Sequence, residues 1–262
     1  MEVLYAQLPT LLTGLWWPFC RVMAMLSASP MIGEATVPVS IRALLSLVLA
    51  VVLMPISQST ALPVSPWSLQ GIAVAGEQAL LGFLLGLAFH MAMAVITLLG
   101  FLLSSQIGLS MAIMNDPMNG ASSDVISALL TVLCMLSFFA VDGHLLLVSV
   151  LGGSFRAWPV GSGLLSLSME TVVYNLAWVF SAALLLALPV VFATLMVQIG
   201  MGLLNRIAPS LNLFSLGFAV VTLFGLFMLT QMLSQVPTHY LEMTRRWLDL
   251  LEHGLKAGGG HG

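Results

Sequence analysis

Charge is what this chain lacks. Seven Lys and Arg and ten Asp and Glu amount to 6% of its 262 residues, against about 25% in an ordinary soluble domain. Hydrophobic residues make up 60%, and the mean hydropathy is +1.08. A water-facing surface cannot be built from that inventory, so the chain belongs in lipid or in a mostly apolar assembly. A net charge of -3 with scattered basic residues leaves no electrostatic footprint for nucleic acid. Cysteine is also scarce: Cys20 and Cys134 lie in apolar runs and read as small buried hydrophobes, with no support for a disulfide. The N-terminus carries Glu2 and no Lys or Arg before Arg21, which predicts no cleaved secretory signal.

Catalytic signatures are missing too. There is no HExxH, no Gly-x-Ser-x-Gly elbow and no phosphate-binding loop. The expectation is a protein that is not an enzyme and needs no cofactor or metal. The ionisable residues near apolar runs are Arg21, Glu77, His90, Asp142, His144 and Arg206, and no pair has a spacing that chemistry demands. His90, alone on an apolar helix, reads as a hydrogen-bonded core histidine. Asp142 and His144 diverge on a helix but can meet in a turn, where a capped helix end is the plain reading. The functional alternative is an ion-coupled membrane transporter using those two residues beside Gly143.

What the chain does have is a succession of apolar runs separated by prolines and glycines. The first, about 8–31, carries Pro18 and Arg21 near its middle. A bare arginine at mid-membrane costs roughly 2.5–3.5 kcal/mol, so Arg21 calls for a protein interior and a partner, with Glu34 a candidate. A second run, Ile41–Met54, is short of the about 20 residues that cross a bilayer, and a loop spans Pro55–Ser68. The third begins at Glu77 and Gln78 and reaches Leu103, with Gly82 and Gly86 forming a GxxxG pair for close helix approach. Then come Val125–Val141, Asp142-Gly143-His144, Leu145–Leu151, and a loop, Gly152–Ser168, holding Arg156, Trp158 and Pro159. Val172–Leu204 contains Pro189, an expected kink. Leu211–Val236 is held between Pro209 and Pro237. From 238 to 257, Tyr240, Trp247, Leu248, Leu251 and Leu255 oppose Glu242, Arg245, Arg246, Asp249 and Glu252, predicting an amphipathic helix before a disordered tail, 258–262.

The predicted fold is all-α, with roughly six long hydrophobic helices, some kinked or broken, plus the C-terminal amphipathic one. Six spans put both termini on one side, and Arg245, Arg246 and Lys256 make that side cytoplasmic. Arg156 agrees with this orientation and Arg206 does not. Helical hairpins within a larger assembly relieve that conflict.

One polar interruption organises the rest: Ser104–Asp124, joining the third and fourth runs. It holds Gly108, Pro117 and Gly120, the methionines Met111, Met114 and Met118, and the acids Asp116 and Asp124. Asn115-Asp116-Pro117 and Asn119-Gly120 are turn signals. The expectation is a short, flexible, thioether-rich loop. Two readings stand: a loop that closes a pore, or a solvated connection.

Four separated stretches resemble the FliR family, the R subunit of the flagellar type III secretion export gate. They are Arg21-Val22 through Ala28-Ser29-Pro30 with Glu34 and Pro38; Gln106-Ile107-Gly108-Leu109-Ser110 followed by Asp116-Pro117; Gly143-His144 through Ser154-Phe155 and Pro159; and Leu203-Leu204-Asn205-Arg206 with Ala208-Pro209, Phe214 and Gly217-Phe218. Relatives serving injectisomes share the general pattern.

The resemblance implies a channel component assembled with several FliP and FliQ copies, with FlhB at the cytoplasmic side and unfolded flagellar proteins as cargo. It implies a bacterial inner-membrane location at the flagellar basal body, with much of the assembly above the membrane plane. It also implies a FliP-like part over about 1–165 and a FliQ-like part over 166–237. The plug it implies covers Gln106, Gly108, Met111, Ile113, Met114, Asn115, Asp116, Pro117, Met118, Asn119 and Gly120. Candidate packing and assembly residues are Arg21, Gly82, Gly86, Arg206 and Pro209.

Overall fold

The computed structural model describes residues 2–30, 32–33, 37–58, 65–109, 113–115, 122–161, 169–207 and 213–246. Among them the helices are α1 (Glu2–Ala28), α2 (Val39–Gln58), α3 (Leu69–Ile107), α4 (Val125–Ala140), α5 (Gly143–Ala157), α6 (Met169–Ile207) and α7 (Leu213–Leu233). The chain is helical again over 236–246. Two three-residue strands, β1 (Ile113–Asn115) and β2 (Ser122–Asp124), are the other regular elements among the described residues. The chain divides into two compact units. One holds α1, α2, α3 up to His90, and α5; the other holds α3 from Met91, both strands, α4, α6, α7 and the helical stretch up to Met243.

In the first unit α1 buries Trp17, Arg21, Val22, Met25 and Leu26, a stripe at helical spacing. The small residues of α3 lie against it. A Cβ at Gly82 would collide with the Arg21 carbonyl and come within 3.1 Å of the Ala24 methyl; one at Gly86 would meet the Met25 carbonyl and stand 2.7 Å from the Ala28 methyl. Two small-xxx-small rows, Gly82/Gly86 and Ala24/Ala28, thus let two backbones approach closely.

In the second unit α4 buries Ile126, Leu130, Cys134 and Phe138 along one side, and α6 buries Val179, Ala183, Ala187 and Val190. Tyr240 is fully buried, its ring 6.4 Å from that of Phe138. Glu242, Arg245 and Arg246 are exposed while Met243 and Thr244 are buried, so the described part of the terminal helix is amphipathic. Cys20 and Cys134 are both free thiols.

Several boundaries differ from the sequence reading. Among the described residues four helices are long and apolar enough to cross a membrane, Val39–Ser57, Leu69–Ile107, Ala177–Ile207 and Leu216–Leu233, or five if the bent α4–α5 pair is one span. The break at Val141–Asp142 divides the fourth apolar stretch into helices of 16 and 15 residues, each short of about 20. Conversely, the second run is long enough. Helix α2 has 20 residues and passes through Pro55, whose missing donor removes one hydrogen bond only in the last turn. Helix α3 begins at Leu69, eight residues before Glu77, because the Ser68 hydroxyl accepts the Gly71 N–H at 2.9 Å and caps it. Gly152–Ala157 belongs to α5 rather than to a loop; a Cβ at Gly152 would touch only Leu53 and Ile56, at 3.8 and 3.9 Å. Pro237 lies in the first turn of the 236–246 helix, where its absent N–H costs nothing.

His90 is exposed, not a core histidine: it shares the outer stripe of α3 with Leu80 and Phe83. Much apolar surface faces outward on other helices as well, including Leu44, Val48, Val51 and Val52 on α2, and Leu184, Leu188, Phe192 and Ile199 on α6. Stripes of that kind need lipid or another chain to cover them.

Candidate functional site

The described residues of the connector between α3 and α4 belong to the second unit, and its two roots are built differently. At the first, α3 must stop. Gly108 adopts φ +88, the left-handed region that a side chain disfavours. Its N–H reaches the Ser105 carbonyl at 3.3 Å, and the Leu109 N–H reaches the Ser104 carbonyl at 2.9 Å. This pair is a Schellman motif, which satisfies helix carbonyls that otherwise have no partner. The bare face of Gly108 is occupied by Phe218 of α7: a Cβ there would stand 2.7 Å from Phe218 Cε2. The Ile107 carbonyl accepts the Thr222 hydroxyl at 3.0 Å.

At the second root Asp124 ends β2 and caps α4. One carboxylate oxygen, Oδ1, accepts the N–H groups of Ile126 and Ser127 at 3.0 and 2.9 Å, while Oδ2 accepts the Ser127 hydroxyl. Such a cap contributes about 0.5–2 kcal/mol, and the helix dipole adds to it. Ser127 Oγ also lies 2.9 Å from the Thr97 carbonyl of α3. Gly100, one turn further along α3, makes room for this: a Cβ there would come within 2.6 Å of Ser127 Oγ. The two helices are therefore held together where the connector leaves and returns.

Between the roots, β1 and β2 pair antiparallel, with Ile113 opposite Asp124, Met114 opposite Ser123 and Asn115 opposite Ser122. The expected loop thus contains a short hairpin. Apart from Ile113 local strand propensity is weak for these residues, and the pairing follows from α3 and α4 bringing the two ends together. Gln106 is half-buried on the last turn of α3, and Ile113, Met114 and Asn115 form β1. Met111, Asp116, Pro117, Met118, Asn119 and Gly120 lie outside the described residues, as do Glu34 and Pro209. Sequence reasoning overlooked Ser127 and Thr222. Asp124 directly before an apolar run is a recognisable cap signal; nothing local marks Thr222.

A second polar centre sits in the first unit. Arg21 is fully buried, and its guanidinium donates to Gln78 Oε1 (2.9 Å), Ser154 Oγ (3.1 Å) and the Trp158 carbonyl (2.9 Å). Its Cζ lies 4.1 Å from the centre of the Phe155 ring, a cation–π contact. Buried Glu77 supplies opposite charge, and its carboxylate is 3.4 Å from Gln78 Nε2. One side chain on α1 thereby joins α3 and the end of α5. Arg42, which the sequence reading passed over, is also buried, with Nη2 3.1 Å from both the Gly33 and Val37 carbonyls.

The remaining candidates are dispersed. Asp142 adopts φ 57 and makes no side-chain cap to α5, contrary to the capped end expected; its carbonyl accepts the Leu145 N–H instead. In the left-handed conformation its carboxylate is not placed over the first turn of the helix. Both Asp142 and His144 are exposed. Arg206 is exposed in the last turn of α6, where a cation complements the helix dipole. Among the described residues no three His, Cys, Asp or Glu side chains are grouped to hold a metal ion.

Comparison with known proteins agrees with this architecture. The family described as bacterial export proteins, family 1, matches residues 12–247. The flagellar biosynthetic protein FliR of Pectobacterium carotovorum subsp. carotovorum is 30% identical over 90% of both chains, and that of Escherichia coli K12 is 30% identical over 80% of both. The Yop proteins translocation protein T of Yersinia pestis is 29% identical over 63% of this chain and 64% of its own. With a match spanning nearly the whole length and the apolar helices described above, this chain belongs to the FliR family of bacterial export proteins.

Proposed function

We propose that the chain is a non-enzymatic core component of a flagellar type III protein export gate, forming a protein-conducting channel with FliP and FliQ. The connector over 106–123 is its obstruction in the closed state. The observation that carries this reading is the anchoring of both connector roots, at Gly108 against Phe218 and at Asp124 over α4. A chain held at both ends can occupy a lumen reproducibly, which a splayed surface loop cannot. Met111, Met114 and Met118 suit the task, because thioether side chains seal a gap and re-pack around varied passing chains.

The apolar stripes on α2, α6 and α7 offer surfaces for FliP, FliQ and membrane lipid, with FlhB at the cytoplasmic side and unfolded flagellar proteins as cargo. Location in the bacterial inner membrane at the basal body, partly above the membrane plane, suits an α1 whose arginine is satisfied wholly by protein groups. A FliP-like part over about 1–165 and a FliQ-like part over 166–237 belong to the same proposal. The exposure of Asp142 and His144 favours the gate over an ion-coupled transporter.

Deleting residues 111–119 tests the reading. The complex should still assemble and co-purify with its partners after gentle detergent extraction, yet leak ions and small solutes. An assembled deletion complex that conducts no more than the unaltered one overturns the obstruction.

A further inference from the structure

We propose that Thr222 is a positioning residue for the connector: its hydroxyl latches the last turn of α3 to α7, so that the connector's root moves only when α7 moves. This rests on the reading of the connector as the obstruction. A threonine inside a helix ordinarily turns its hydroxyl back onto a carbonyl of its own helix. Thr97 does so to Met93, Thr194 to Val190 and Val191, and Thr230 to Phe227. Thr222 instead donates across 3.0 Å to the Ile107 carbonyl, 115 positions away in sequence.

That carbonyl is one of the helix-end groups left without an intrahelical partner. Those of Ser104 and Ser105 are taken by the Schellman turn, and Thr222 takes that of Ile107. The grip has two more points on the same face of α7. Three residues on, Gly225 leaves the space that Ile107 fills, since a Cβ there would stand 2.6 Å from Ile107 Cγ1. Four residues before, Phe218 lies against the bare face of Gly108. Phe218, Thr222 and Gly225 recur at i, i+4 and i+7, and all meet the same two residues where α3 ends. Ile107 is fully buried, so this contact is solvent-free on the α3 side.

The test uses the assembled complex with Cys20→Ser and Cys134→Ala and a single new cysteine at Asn115→Cys, on β1. The rate at which a small thiol reagent labels position 115 reports movement of the connector. Thr222→Val keeps the side-chain shape and removes the hydrogen bond; it should speed labelling by about two- to tenfold, the change in an opening equilibrium that one lost hydrogen bond produces. Thr222→Ser keeps the hydroxyl and should label at the unaltered rate. Should Thr222→Val fail to assemble, Phe218→Leu, at an exposed side chain, loosens the neighbouring contact and should also speed labelling.

Equal labelling in every assembled variant, or Thr222→Ser as fast as Thr222→Val, overturns the latch. Ion leak measured in parallel separates the two proposals. Faster labelling in Thr222→Val beside a 111–119 deletion that does not leak keeps the latch and removes the obstruction. A leaking 111–119 deletion beside unchanged labelling removes the latch alone.

Discussion

Arg21 Nε donates to Gln78 Oε1 across 2.9 Å, joining a fully buried cation on α1 to a fully buried amide on α3. The same guanidinium reaches Ser154 and Trp158 at the far end of α5. Its planar fork serves three acceptors at once from nitrogens held at fixed, wide separations, a spread that a compact ammonium does not match.

Gln78→Leu should therefore destabilise the protein by about 1.5–3 kcal/mol, the worth of a hydrogen bond to a charged group. Arg21→Lys should also destabilise, because at most part of the acceptor set stays satisfied. Thermal unfolding of the detergent-solubilised complex reads both. Unchanged midpoints in the two variants would show that the buried cluster is not a joint between these helices.

Gly82 and Gly86 should tolerate no side chain, whereas Gly76 and Gly153 should. A methyl at Gly82 or Gly86 meets α1 backbone, but nothing lies within 4 Å of Gly76 or Gly153. Gly82→Ala and Gly86→Ala are expected to lose several kcal/mol through overpacking, while Gly76→Ala gains up to about 1 kcal/mol from helix propensity. Yield of folded protein by size-exclusion chromatography distinguishes the pairs.

Gly108→Ala should cost about 1–2 kcal/mol from the left-handed backbone alone, plus the clash with Phe218. Adding Phe218→Leu should recover the clash and leave the backbone cost. A double variant no more stable than Gly108→Ala would mean that Phe218 yields freely at this contact.

Asp124→Ala should lose about 0.5–2 kcal/mol of cap energy, and Asp124→Asn should keep most of it, since an amide oxygen can still accept the Ile126 and Ser127 N–H groups. Limited proteolysis within the connector is the readout, with faster cleavage in the alanine variant only. Equal cleavage in both would assign the effect to charge rather than to capping.

The helical class and the order of the apolar runs were legible from composition and from prolines and glycines, because both act locally on the backbone. Pairing partners were not. Glu34, the candidate partner for Arg21, lies outside the described residues, while the acceptors Gln78, Ser154 and Trp158 lie 57 to 137 positions away, beyond what any local pattern could name. His90 read as buried because its neighbours are apolar, but in a chain this apolar the outer face of a helix is apolar too. The connector was visible as a break between runs. Its paired strands and its grip by Thr222 were not, since apart from Ile113 the residues of β1 and β2 have little strand preference, and Thr222 is 115 positions from Ile107.

By itself the sequence determined that this protein is helical, lipid-grade and interrupted by one methionine-bearing connector, because hydropathy and backbone breakers are properties of neighbouring residues. Which helices meet at Gly82, Gly86 and Gly225, where Arg21 finds its acceptors, and what holds Gly108 in place were decided only by tertiary structure. Those contacts depend on matching shape and hydrogen-bonding groups between segments far apart in the chain, and no local pattern encodes that match.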